Sequence, residues 1–308
     1  MRVAVLDLGT NSTRLLVADV RDGRVEELER RTTITRLGQG VDKTGRLAPE
    51  ATERVYETVA EYREIIDSLG AEKVLAVATS AVRDSENGDE FRDTLRSRFG
   101  VEAQTISGDE EARLTFLGAT SVRVDEEPTL VLDIGGGSTE FVVGRPHHDP
   151  EFHVSTQAGS VRQTERHVTD DPPPPDDVAS AAEDVRQILG EQIPRKVREG
   201  VARGIAVAGT ATSLAAIDQE LDPYDPEKVH GYHLTLGAAE RILAMLAALP
   251  ESQRKQVKGL NPNRAPTIVA GAVILVESMR AFGLEEMETS EADILHGGAL
   301  TLAVPDNG

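Results

Sequence analysis

The chain contains no cysteine. That excludes disulfides, thiol catalysis and thiolate zinc sites, and it fits a reducing cytoplasm. Cations are scarce as well: 33 Lys and Arg stand against 53 Asp and Glu, a formal charge of −20. Such a balance argues against a broad nucleic-acid or anionic-membrane footprint, and a polyanionic ligand would need a local basic patch or bound cations. Long hydrophobic runs are missing too. The longest, residues 268–276, is followed by Glu277 and falls far short of the roughly 20 residues a spanning helix needs. At the amino terminus Asp7 interrupts the apolar run before a signal-peptide core can form. These absences lead us to expect a soluble, cytoplasmic protein that engages neither nucleic acid nor membrane.

What is present, 308 residues, suits about two domains. Residues 3–8, 15–20 and 24–33 read as three strands in an antiparallel opening, with a turn at Arg21-Asp22-Gly23. Helical spacing follows at Val55, Val59, Tyr62, Ile66 and Leu69, closed by Gly70. Strands are expected at 74–78 and 101–106. Ser107-Gly108-Asp109-Glu110 then has capping-box spacing, which puts Glu111 in the first turn of a helix. Around residues 124–127 the chain turns acidic and polar before a new strand at 129–134. We therefore expect domains over 1–124 and 125–308, the second one mixed α/β. The four prolines at 172–175 read as a stiff surface loop leading into a helix, and the last helices are expected around 266–282 and 291–303.

The central observation is a repeat. Asp7-Leu8-Gly9-Thr10-Asn11-Ser12-Thr13-Arg14 and Asp133-Ile134-Gly135-Gly136-Gly137-Ser138-Thr139-Glu140 match in type, each follows a hydrophobic strand, and they lie 126 residues apart. A duplicated domain with two hairpin tips facing a shared cleft would explain this. An aspartate ending a strand can position metal-bound water, and glycine turns let backbone N–H groups approach phosphate oxygens. Gly9, Asn11, Ser12, Gly135, Gly136, Gly137, Ser138 and Thr139 are thus candidate phosphate binders. Arg14 adds a fork-shaped cation suited to phosphate, whereas its counterpart Glu140 suits a magnesium hydration shell. A third segment, Val207-Ala208-Gly209-Thr210, passes from strand to helix, so Gly209 and Thr210 could hold an anion at the helix amino end; simple capping is the alternative. His147-His148 and His230 with His233 lack further ligands and are set aside as metal sites. Residues 36–40 read as a plain glycine loop in preference to an extension of the phosphate track.

At these hairpins, together with Ala78-Thr79-Ser80-Ala81-Val82-Arg83-Asp84 and Ile106-Ser107-Gly108-Asp109-Glu110-Glu111-Ala112-Arg113, the sequence resembles the exopolyphosphatase and guanosine pentaphosphate phosphohydrolase family. That family lies within the actin, sugar-kinase and heat-shock-chaperone ATPase superfamily. The resemblance implies an α/β fold of two duplicated actin-like, ribonuclease H-like domains, in the short two-domain form. It also implies removal of terminal phosphates from inorganic polyphosphate or guanosine pentaphosphate, with Mg2+ as cofactor and a homodimeric assembly. Residue by residue, Glu111 takes the position of the catalytic glutamate before the Ala-Arg pair. Arg83 would stabilise charge on the scissile phosphate, Glu140 would assist catalysis, and Asp7, Asp133 and Glu140 would hold magnesium, mostly through water. Pro266 departs from the pattern, where an aspartate is expected. A small-molecule kinase and a non-enzymatic actin-like sensor or assembly protein are the competing classes.

Overall fold

The computed structural model describes residues 1–304, and they form two units: Met1–Arg123 together with the segment from Asp293 onward, and Val124–Ala292. The first opens on β1 (Arg2–Leu8), β2 (Thr13–Arg21) and β3 (Arg24–Thr33), an antiparallel meander. Its second turn is Asp22-Gly23, with φ of 51° and 73°. A two-residue type I′ hairpin needs positive φ at both positions, hence the Asp-Gly pair. After α1 (Val41–Thr44) comes α2 (Pro49–Leu69), which begins on a proline and stops where Gly70 turns left-handed. Then follow β4 (Lys73–Ala78), the single turn α3 (Ser80–Arg83), α4 (Gly88–Phe99), β5 (Ala103–Thr105) and α5 (Gly108–Thr120).

The sheet order is β3-β2-β1-β4-β5, with β1, β4 and β5 running parallel. Flanked on both edges, β1 is buried on both faces, which is why it reads as an almost unbroken apolar run. Ala4, Leu6 and Leu8 pack with Val55, Val59 and Ile66 of α2, while Val3 and Val5 point to the opposite core. The strand expected at 101–106 is reduced to three residues, because the Val101 amide closes the end of α4 on the Leu95 carbonyl.

The second unit repeats the opening with β6 (Thr129–Ile134), β7 (Thr139–Gly144) and β8 (Phe152–Thr156). There follow α6 (Ser160–His167), α7 (Pro175–Gln192), α8 (Arg195–Glu199), β9 (Arg203–Val207), α9 (Ala208–Asp218), α10 (Pro226–Val229), β10 (His233–Thr235) and α11 (Leu236–Ala247). The unit ends with α12 (Glu251–Arg254), a 3-10 turn at Pro262–Arg264, α13 (Ile268–Phe282) and β11 (Glu286–Thr289). Its sheet order is β10-β11-β9-β6-β7-β8. Apart from the added β10, that is the order of the first sheet, with β6–β8 in place of β1–β3, β9 in place of β4 and β11 in place of β5. The repeat in sequence is therefore a repeat of topology, and each unit is an α/β layer structure. The apolar stretch at 268–276 lies within α13, a helix buried on nearly all sides in the core of this unit. Among the described residues no helix is long and apolar enough to cross a membrane.

The last described helix, α14 (Ile294–Ala303), belongs to the first unit. The sequence alone puts it within 125–308; in the structure Ile294, Leu295 and Ala299 pack with Val3, Val5, Leu16 and Ala18 on the face of the first sheet opposite α2. Two glycines permit this. A Cβ on Gly118 of α5 would stand 1.9 Å from the Asp293 carbonyl oxygen, and one on Gly297 of α14 would stand 1.8 Å from that of Leu114. The two helices touch backbone to backbone.

Candidate active site

Each hairpin tip is built the same way. In the first, Gly9 N–H donates to the Ser12 carbonyl at 3.0 Å; in the second, Gly135 N–H donates to the Ser138 carbonyl at 3.0 Å. The carbonyls of the tips are then tied down from outside. Thr10 O accepts from Gly38 N, and Asn11 O accepts from Thr35 N and Arg36 N. In the second unit Gly135 O accepts from Ser160 N, and Gly136 O from Val161 N and Arg162 N, while Arg162 Nε donates to Gly137 O at 2.8 Å. A trans peptide points its C=O and the following N–H in opposite directions. Anchoring these carbonyls therefore turns the amides of Asn11 and Ser12, and of Gly136, Gly137 and Ser138, the other way, as an anion cradle requires. Gly159 is needed for the second anchor, since a Cβ there would meet Gly136 O at 2.2 Å. The glycine loop at 36–40 buttresses the first tip: a Cβ on Gly38 would meet Thr10 Cγ2 at 2.3 Å.

The hairpins differ at the charged cross-strand pair beside the tip. Asp7 lies opposite Arg14, and Asp133 lies opposite Glu140. In the first unit the Arg14 guanidinium donates from Nε and Nη2 to Asp7 Oδ2, at 2.8 and 2.6 Å, and from Nη1 to Asp293 Oδ2. Burial pushes the Asp7 carboxyl up from its ordinary range, against the pull of Arg14. Asp293 is driven the same way by burial, but Arg14, Arg30 and His296 outweigh it and hold its carboxyl low. Asp7 Oδ1 is buried with no hydrogen-bond partner among the described residues. In the second unit, two buried carboxylates face each other, and Ser155 Oγ donates to Glu140 Oε1 at 2.8 Å.

Thr10 Oγ1 pairs with Ser80 Oγ at 2.8 Å, which joins the first tip to the end of β4 and the turn α3. That turn carries Arg83. Its Nη1 donates to the Ile106 carbonyl at 3.0 Å and to Glu111 Oε2 at 3.1 Å. Glu111 is buried in the first turn of α5, whose cap Ser107 accepts the Glu110 amide. The helix dipole favours its anionic form there. The structure thus brings Arg83 and Glu111 together, two residues the sequence offered separately. Within the second unit, Gly209 and Thr210 open α9 behind Ala208, which is held at φ 63°. The Arg264 guanidinium lies where a Gly209 Cβ would be, 1.9 Å from its Cζ. No local pattern signals that approach, nor the presence of Asp293 at Arg14.

Comparison with known proteins decides the family. The model of the Ppx/GppA phosphatase family matches residues 16–302. The chain belongs to the Ppx/GppA family. It is similar to exopolyphosphatase 2 of Mycobacterium tuberculosis, 38% identical over 98% of both chains. Among solved structures, a Ppx/GppA family member from Aquifex aeolicus superposes with a TM-score of 0.84 at 32% identity, covering 100% of this chain and 99% of that one. An exopolyphosphatase from Cytophaga hutchinsonii superposes with a TM-score of 0.90 at 26% identity, covering 98% and 97%. As a Ppx/GppA phosphatase the chain is a hydrolase, so the Arg83–Glu111 pair is to be judged by what it can do to a phosphate and a water.

Proposed function

We propose that this chain is an exopolyphosphatase, which hydrolyses the terminal phosphoanhydride bond of inorganic polyphosphate and releases orthophosphate. The observation that carries the reading is Arg83 bonded to a buried Glu111 at a helix amino end. A carboxylate so placed orients a water and accepts its proton as the water oxygen bonds to the terminal phosphorus and the bridging P–O bond breaks. Arg83 steers Glu111 and offers its fork to the equatorial oxygens, where transition-state charge develops. In the first unit the tip amides and the Ser12 hydroxyl are the phosphate binders; in the second, taken by itself, the tip amides, the Ser138 hydroxyl and Gly209 and Thr210 at the start of α9 are the groups suited to an anion.

Magnesium fits the donor set of the second hairpin. Asp133 and Glu140 stand at paired register positions on neighbouring strands, both are buried, and carboxylate oxygens are the donors magnesium takes. No group of three or more acidic or histidine side chains suited to a metal occurs among the described residues, so water and substrate oxygens would complete the shell, as magnesium prefers. In the first unit Asp7, through its open Oδ1, is a candidate cation contact of its own. When bound, the ion neutralises phosphate charge. The enzyme is read as cytoplasmic and homodimeric.

The test is orthophosphate release from short polyphosphate, long polyphosphate and guanosine pentaphosphate, with and without magnesium. Release from polyphosphate should require the metal, and Glu111→Gln should lower kcat by about 10²–10⁴-fold. Preference for guanosine pentaphosphate would transfer the same chemistry to that substrate. No release from any of the three by folded protein would overturn the hydrolase reading for these substrates.

A further inference from the structure

The Arg14 guanidinium is bound by two carboxylates from opposite ends of the chain. Two of its nitrogens go to one oxygen of Asp7, and the third goes to Asp293, which is 279 residues away in sequence. Asp293 divides its oxygens between two tasks: Oδ1 caps α14 by accepting the Leu295 amide at 3.0 Å, and Oδ2 receives Arg14, with Arg30 Nη2 at 3.8 Å. Its side chain is 1% exposed. Its own carbonyl is wedged against Gly118, so backbone and carboxylate are both fixed. A guanidinium is planar and rigid, so fixing one nitrogen fixes the direction of the other two. Here they fall on a single oxygen of Asp7, and the second oxygen, Oδ1, is left without a partner among the described residues.

We propose that Asp293 is a positioning residue for Asp7: through Arg14 it sets the carboxylate so that Oδ2 is consumed and Oδ1 is presented to the phosphate-bound cation or water. The proposal rests on the reading of the Asp7 hairpin as part of the reacting site. Without Asp293 the contact that aims Nη1 is lost, and the guanidinium can turn to the usual fork-to-fork pairing with both oxygens of Asp7, which takes up Oδ1.

Asp293→Asn isolates this role, because asparagine caps a helix about as well as aspartate while giving Arg14 no anion. The variant should keep its far-UV circular dichroism and its KM for polyphosphate, and lose kcat by about 10–100-fold, as outer-shell changes at such sites do. The double variant Asp7→Asn/Asp293→Asn should be no slower than Asp7→Asn alone. The Arg14 Hε resonance, assigned by its disappearance in Arg14→Lys, should exchange slowly in the wild type and move or broaden in Asp293→Asn. An Asp293→Asn enzyme with wild-type kcat, or with an unshifted Hε signal, overturns the proposal. If wild-type protein releases no phosphate, the hydrolase reading fails and the resonance alone decides the positioning. Should Asp293→Asn not fold, Arg14→Lys replaces it: a point charge cannot bridge both carboxylates, so kcat should fall at unchanged KM, and a wild-type rate would refute the role.

Discussion

At the scale of single residues, charge is arranged in this chain by burial. Asp293 and Glu27 both have carboxyls held low: Asp293 because Arg14, Arg30 and His296 outweigh its burial, Glu27 chiefly through its hydrogen bond with His296. A carboxyl lowered in the folded state contributes stability that is complete above its unfolded pKa, about 4, and lost as pH falls through the folded value. The part of the melting temperature that these two carboxyls supply should therefore hold steady from neutrality down to about pH 4 and drop below it, while Asp7, pushed up by burial, works in the opposite direction as pH falls. In Asp293→Asn that acid-side drop should be shallower, which melts across pH 7 to 3 would read directly. An unchanged profile would mean that Asp293 is not ionised in the fold. Much at this scale was open to sequence reading, since glycine turns after apolar strands announce themselves. Arg14 was not: its type suggested phosphate, while its strongest partners are carboxylates, one of which lies beyond any local pattern.

Among the elements, the contact between α5 and α14 is the one most exposed to a single change. Gly297→Val would force a side chain into the Leu114 carbonyl, and Gly118→Val into that of Asp293. Overpacking typically costs about 1–3 kcal/mol, and here the obstacle is backbone, which cannot rotate away. We expect a loss at or above that range in urea unfolding, greater than for Gly190→Val, where a Cβ meets nothing within 4 Å. Equal losses at 190 and 297 would show that helices α5 and α14 do not touch as described. The sequence leads one to expect a helix around 291–303, and one forms over Ile294–Ala303. That expectation holds no information on which sheet the helix covers, because Ile294, Leu295 and Ala299 would be as well buried on either unit. Strand 101–106 illustrates the same limit from the other side: β-propensity marked six residues, and the end of α4 claimed Val101 first.

For the molecule as a whole, the first unit is discontinuous. A fragment of residues 1–123 lacks α14, so it exposes Val3, Val5, Leu16 and Ala18, and each fully buried aliphatic side chain is worth about 1.5–3 kcal/mol. The fragment should be unfolded or aggregated, and joining residues 293–304 to it through a flexible linker should restore a cooperative thermal transition. A fragment that melts cooperatively without the segment would contradict the packing. The topology also carries a schedule. A ribosome finishes Asp7, Arg14, Arg83 and Glu111 early, then makes the whole of Val124–Ala292 before it reaches Asp293. At about 5–20 residues per second that is a wait of roughly ten to thirty seconds. Throughout it, the emerging chain carries Arg14 without the carboxylate that binds its Nη1, and β1 and β2 without the helix that covers them, so the first unit waits, open on one face, for a segment made only after the whole of the second.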